Sequence, residues 1–177
     1  HLSDGDNSGT SQNAGLTIEV VEDLPTTIVA DATYGGDDGA QAFIPFMHLA
    51  FIAGERDVTV YMVHFQHSGI SSYLDVSGLY LYEGNGVGDN LIAETRSYHD
   101  QSATFDKEGG LFTVPAGETM EIFLRGNLAD DTAPGKTISF KLASSGDVVS
   151  DVHVVVGSFP LQGGTAQVAT VSDLGYM

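Results

Sequence analysis

The sequence has no cysteine and no tryptophan, and it carries only six lysines and arginines and five prolines among 177 residues. Without cysteine there is no disulfide framework and no thiolate metal site, so stability has to come from a hydrophobic core. A chain of this length can bury one without staples, and it reads as one large domain or a domain with a tail. The few cations face 24 aspartates and glutamates, leaving a formal charge of −18. Nucleic acid is excluded as a partner because phosphate binding needs clustered cations, and an anionic membrane surface is excluded on the same ground. No apolar run approaches the ~20 residues of a membrane span. The longest, Ala42 to Ala53, is broken by Pro45 and His48. There is no leader pattern, as expected of a secreted protein that has already lost one, and a start at His1 fits such cleavage.

What is present is β patterning. Met120, Ile122 and Leu124 alternate with Glu121, Phe123 and Arg125, and Ile138, Phe140 and Leu142 alternate with Thr137, Ser139 and Lys141. A period of two gives a strand one buried and one wet face. Val114-Pro115-Ala116-Gly117 and Ala133-Pro134-Gly135 sit between such runs as turns. Further strand patterns are Leu16 to Val21, Thr26 to Ala30, Ala42 to Ile52, Asp57 to His67, Leu91 to Thr95, Ala103 to Phe105, Leu111 to Val114, Asp151 to Val156 and Ala166 to Val171. Leu79 and Leu81 are expected inward, with Tyr80 and Tyr82 outward or at a rim. Pro45 predicts a bulge or an edge, since it cannot donate to a ladder. Along Asp57 to His67 the pattern sets Val58, Val60 and Met62 against Thr59, Tyr61 and Val63. About ten short segments with turns between them, and no helical period, predict an all-β antiparallel sandwich of immunoglobulin-like or jelly-roll type over residues 15–177. Residues 1–14 are polar and acidic and are expected to be flexible.

Three stretches carry a resemblance. Leu-Tyr-Leu-Tyr-Glu-Gly from Leu79, Phe-Thr-Val-Pro-Ala-Gly-Glu-Thr from Phe112, and Ile-Ser-Phe-Lys-Leu-Ala-Ser-Ser-Gly-Asp-Val from Ile138 resemble the immunoglobulin-like modules of prokaryotic surface-layer and extracellular filament proteins. The likeness spans Val58 to Val149 and rests on strands and turns, with no catalytic signature. It implies an extracellular, cell-surface setting and copies of the same chain as partners. The expected function is therefore a structural subunit that polymerises by strand exchange, with Leu16 to Val21 or Ala166 to Val171 as the travelling strand and Glu22 to Pro25 as hinge.

The alternative is a secreted calcium- or glycan-binding module. Asp4, Asp6 and Ser8 place oxygen ligands at alternate positions, as in the opening of a calcium loop, so calcium is the candidate cofactor. The twelfth position is Gly15, where such a loop needs a bidentate Glu, and a flexible acidic tail is the simpler reading of the segment. Asp37-Asp38 and Asp130-Asp131 are acidic loop pairs of the same kind. His1 could chelate copper through its amino group and ring, although a mobile tail does not preorganise a metal. His48, His64 and His67 lie near Met47 and Met62, but His64 and His67 are three apart on a strand and face opposite ways. Neutral histidines bonded within a sheet are the simpler reading. Tyr34, Tyr73, Tyr80, Tyr82 and Tyr98 with Phe43 and Phe46 could line a sugar-binding face or serve packing. No Gly-x-Ser-x-Gly and no phosphate-cradling loop is present. The chain is expected to be no enzyme.

Overall fold

Alternating apolar side chains set the architecture in the computed structural model, which describes residues 15–22, 24, 27–31 (backbone only), 44–84, 90–95, 97–129 and 132–169. Fifteen strands occur among them: β1 Leu16–Val20, β2 Thr27–Asp31, β3 Ile44–Ala53, β4 Val58–Ser68, β5 Val76–Glu83, β6 Asn90–Glu94, β7 Ser97–His99, β8 Ser102–Asp106, β9 Phe112–Val114, β10 Thr119–Leu128, β11 Thr137–Leu142, β12 Val148–Ser150, β13 Val155–Val156, β14 Leu161–Gln162 and β15 Thr165–Ala169. The chain is an all-β sandwich. One sheet runs β13-β1-β3-β10-β5-β6 and the other β2-β15-β11-β4-β8-β7, with β9 and β12 also on β4 and β14 on β11. Taken in chain order, β1, β3, β10 and β5 occupy the A, B, E and D places of an immunoglobulin-type sandwich, and β4, β11 and β15 the C, F and G places. Strands β6 to β9 are then an insertion between D and E.

The core fills the space between the sheets. Phe46, Phe51, Phe65, Phe105 and Phe140 are its largest fully buried rings. They meet mostly edge to face, as Phe51 does on Phe112 at 5.1 Å and Phe65 on Phe105 at 5.9 Å. Ring quadrupoles favour that geometry. Leu79, Leu81, Ile122, Leu124, Ile138, Phe140 and Leu142 all face inward, as their alternation predicts. Pro115 to Glu118 closes a turn, with the Glu118 N–H donating to the Pro115 carbonyl at 3.0 Å and Gly117 at φ 73. A positive φ at the third position is what a type II turn requires of glycine.

Two strands depart from simple alternation. The register of β10 on β3 shifts between Leu124 and Arg125, opposite Met47 and Pro45, so the proline sits beside a bulge. In β4 the inward set is Val58, Val60, Val63, Phe65 and His67, and so Met62 does not continue the series begun by Val58 and Val60. The β12 register also shifts here, Val149 pairing with Met62 and Ser150 with Val60. One extra residue at Tyr61 exchanges the faces of all that follow. The run Asp151 to Val156 is not one strand: β12 ends at Ser150, and the chain crosses to the other sheet before β13.

Candidate functional site

The N-terminal strand lies in a slot. β1 runs antiparallel to β3 from Leu16–Ala53 to Val20–Leu49, and its other side pairs in parallel with β13 through Leu16–Val155 and Thr17–Val156. Leu16 and Ile18 are fully buried, whereas Glu19 faces solvent. Backbone bonds hold both margins, with Leu16 N–H on the Val154 carbonyl at 2.9 Å and Val21 N–H on the His48 carbonyl at 2.8 Å. Gly15, the would-be twelfth position of a calcium loop, has a packing role. A Cβ there would stand 2.7 Å from the Val154 carbonyl oxygen.

β13 covers only the first part of β1. Beyond Thr17–Val156, no strand pairs with that margin of β1 among the described residues. The chain passes Ile18 tightly at Gly157, where a Cβ would fall 2.9 Å from the Ile18 carbonyl oxygen and 2.8 Å from the Phe159 ring. A cleft of about 830 Å³ opens there, floored by Phe46 and Met47 and walled by Ile18 to Glu22 on one side and by Gly157, Ser158 and Pro160 to Gly164 on the other. Val154 and Val156 beside the slot, and Val149 on β12, are 39%, 38% and 46% exposed. Exposed valines mark this margin, while Glu19, Glu22, Ser158 and Gln162 line the cleft together with apolar side chains, and sequence patterning placed none of these valines at an edge.

The outward face of the first sheet carries a second grouping. His48 is buried there, its Nε2 2.7 Å from Glu121 Oε1 and its ring stacked on Phe123 at 3.9 Å. The Arg125 guanidinium lies 4.7 Å from the Phe123 centroid and 5.0 Å from that of Tyr82. Of the aromatics suggested as a sugar-binding face, Tyr80 and Tyr82 are both on this side. Phe46 instead packs in the core on Phe140 at 4.9 Å, and Tyr73 and Tyr98 pack on each other at 5.9 Å in another cluster. Tyr34 and Phe43 lie outside the described residues. The described aromatics therefore do not form one platform.

His67 faces the core of the other sheet. Ser71 Oγ donates to the Thr137 carbonyl at 2.7 Å, so it accepts from His67 Nε2–H at 2.7 Å. This leaves Nδ1 to accept from the Tyr98 hydroxyl. Burial lowers the His67 pKa to about 4 against a smaller opposing pull from Asp75. Burial, and then the Asp75 charge, push the Tyr98 hydroxyl well above its ordinary range. Asp75 is held by Lys136 Nζ, 3.0 Å from each carboxylate oxygen. The ring is a neutral, fully bonded pin between strands, as the simpler histidine reading expects.

His64 points outward, opposite to His67, and bonds to Asp147 and Ser102. Met47 lies in the core, so the three histidines and two methionines make no common site. Among the described residues no group of three or more metal-ligating side chains comes together. Asp4, Asp6, Ser8, His1, Asp37-Asp38 and Asp130-Asp131 lie outside the described residues.

No protein-family model matches the chain, and no curated protein does. Among solved structures it is similar to one titled "AvmM Catalyzes Macrocyclization in Alchivemycin A Biosynthesis", at 8% identity and a TM-score of 0.39, over 89% of this chain and 90% of that one. The expectation that the chain is no enzyme is corrected on this finding, because the matched structure is that of a catalyst. At this level of similarity the match assigns no reaction, substrate or residue to this chain.

Proposed function

We propose that the chain is a structural subunit of an extracellular filament or surface array, joined to its copies by exchange of β1. The observation that carries this reading is the setting of β1 itself. It is the first described strand, it presents alternate apolar side chains to an apolar groove, and strands from elsewhere in the chain supply both walls. A groove built that way accepts an identical strand from a second copy with the same hydrogen bonds and the same buried side chains. Full burial of Leu16 and Ile18 supplies about 1.5 to 3 kcal/mol each, whichever chain provides them. Transfer from one copy to the next in a fixed direction is a head-to-tail contact, which grows into a fibre when it does not close.

The pairing of chain-early with chain-late strands supports a load-bearing role. β1 pairs in parallel with β13, and β2 in parallel with β15 over five residues from Thr27–Thr165 to Asp31–Ala169. When the two ends of the chain are drawn apart, parallel partners are pulled along their length in opposite directions. Their hydrogen bonds are then loaded together in shear instead of opening one after another.

Electron microscopy of the purified chain tests the reading. Fibres or sheets are expected for the natural sequence and none for Ile18→Asp, which would bury a charge in the groove. Dispersed particles from the natural sequence at all protein and salt concentrations would contradict it.

A further inference from the structure

On the outward face of the second sheet, three side chains from distant parts of the sequence form one line. His64 on β4 brings Nδ1 to 3.2 Å from Asp147 Oδ1, while its Nε2 meets the Ser102 hydroxyl at the start of β8. An ionised aspartate only accepts, so Nδ1 carries the proton and Nε2 offers its lone pair to the serine. Asp147 is fixed in turn, because its other oxygen accepts the Ala143 and Ser144 N–H groups at 2.8 and 3.2 Å. Ser102 follows a tight turn in which Asp100 and Gln101 both have positive φ, 51 and 67, without glycine. Left-handed backbone at a long side chain is costly and persists where surrounding bonds hold it. Here the Gln101 carbonyl accepts from His67 N–H at 2.8 Å, and its side-chain amide donates to the Ser71 carbonyl at 3.2 Å.

We propose that Ser102 is an activated nucleophile toward small carboxylic esters, with His64 as its general base and Asp147 as the positioning residue. The nitrogens are used in the order that nucleophilic serine chemistry requires: the inner one oriented by a carboxylate, the outer one facing the hydroxyl. Ser102 is itself half-buried, beside His64 at 31% and Asp147 at 20% exposure, so an ester reaches the serine from solvent. In the first step the Ser102 Oγ–carbonyl bond forms as its proton passes to His64 Nε2. The ester C–O bond then breaks, and the departing alkoxide takes that proton. Water, deprotonated by the same nitrogen, cleaves the acyl-serine and restores the hydroxyl. Gln66 pairs with both Ser102 and Lys141, so the sheet carries Lys141, Gln66 and Ser102 in one row. Lys141 and Gln66 are the donors on that row for the oxyanion.

The test uses the full chain with diisopropyl fluorophosphate, mapping the adduct by peptide mass, and with p-nitrophenyl acetate, following the release of nitrophenolate. A single adduct at Ser102 is expected, lost in Ser102→Ala and slowed about 100-fold in His64→Ala. Asp147→Asn is expected to lower kcat with KM unchanged, and Asp147→Glu to restore part of it; a merely structural aspartate would leave kcat in place. Circular dichroism confirms folding of each variant, and Ser102→Ala, a one-atom deletion on an outward face, remains informative if another fails to fold. Labelling spread over several serines, or a Ser102 rate unchanged in His64→Ala, would reduce the line to a surface hydrogen-bond network and overturn the proposal.

Discussion

Gly163 has no room for a side chain. A Cβ there would stand 2.4 Å from both the Phe46 carbonyl oxygen and the Met47 side chain, while its own N–H bonds to Phe140 at 2.9 Å. Gly163→Ala is therefore expected to cost about 1 to 3 kcal/mol or more, measured by urea unfolding. His67 gives a second prediction at this scale. Its pKa is about 4 when folded and 6.5 when unfolded, so between those values the unfolded chain binds a proton that the folded chain does not. Stability from the neutral ring is complete above pH 6.5 and lost as pH falls toward 4, by roughly 3 kcal/mol in all. Thermal melts across that window should show the loss, and His67→Gln should flatten it. Sequence patterning correctly set His64 and His67 on opposite faces. It could not show that His67 meets Tyr98 and Ser71, or that Ser102 and Asp147 converge on His64, because those contacts depend on which strands become neighbours.

At the scale of elements, most strands were legible because alternation is a local property. β5, β10 and β11 face as their sequences require, and Pro45 correctly marked a bulge. In β4 the faces exchange beyond Val60 against the simple alternation, since an inserted residue in a run apolar on both faces leaves no signature in hydropathy. Asp151 to Val156 has the pattern of one strand for a similar reason: nothing in a valine-rich run says where it leaves one sheet for another. β1 faces as its alternation requires, and its burial sets a third prediction. Ile18→Ala should lower stability by about 2 to 5 kcal/mol, because the groove cannot close over the missing atoms. Deleting residues 1–21 should abolish polymerisation, as seen by light scattering. Fibres of the same form from the truncated chain would assign the exchange to another strand, with Ala166 to Val171 the next to delete.

For the whole molecule, the assembly proposed above is set against charge. A net −18 on every copy opposes joining them, and screening relieves that opposition. Raising ionic strength from about 0.01 M to 0.15 M shortens the Debye length from roughly 30 to 8 Å, so assembly should accelerate over that range. Slower assembly with added salt would mean that attraction between unlike charges, and not the filling of an apolar groove, joins the copies. The most direct measurement uses the absence of cysteine. Thr17 and Ile52 are register partners on β1 and β3, and in Thr17→Cys/Ile52→Cys the new thiols are the only two in the chain. Neighbouring residues of an antiparallel pair lie within reach of a disulfide. After assembly, oxidation and full denaturation, strand exchange predicts a ladder of covalently linked chains on a non-reducing gel, collapsing to monomer on reduction. Cross-linked monomers alone would show that each β1 stays in its own sheet, and would contradict the account.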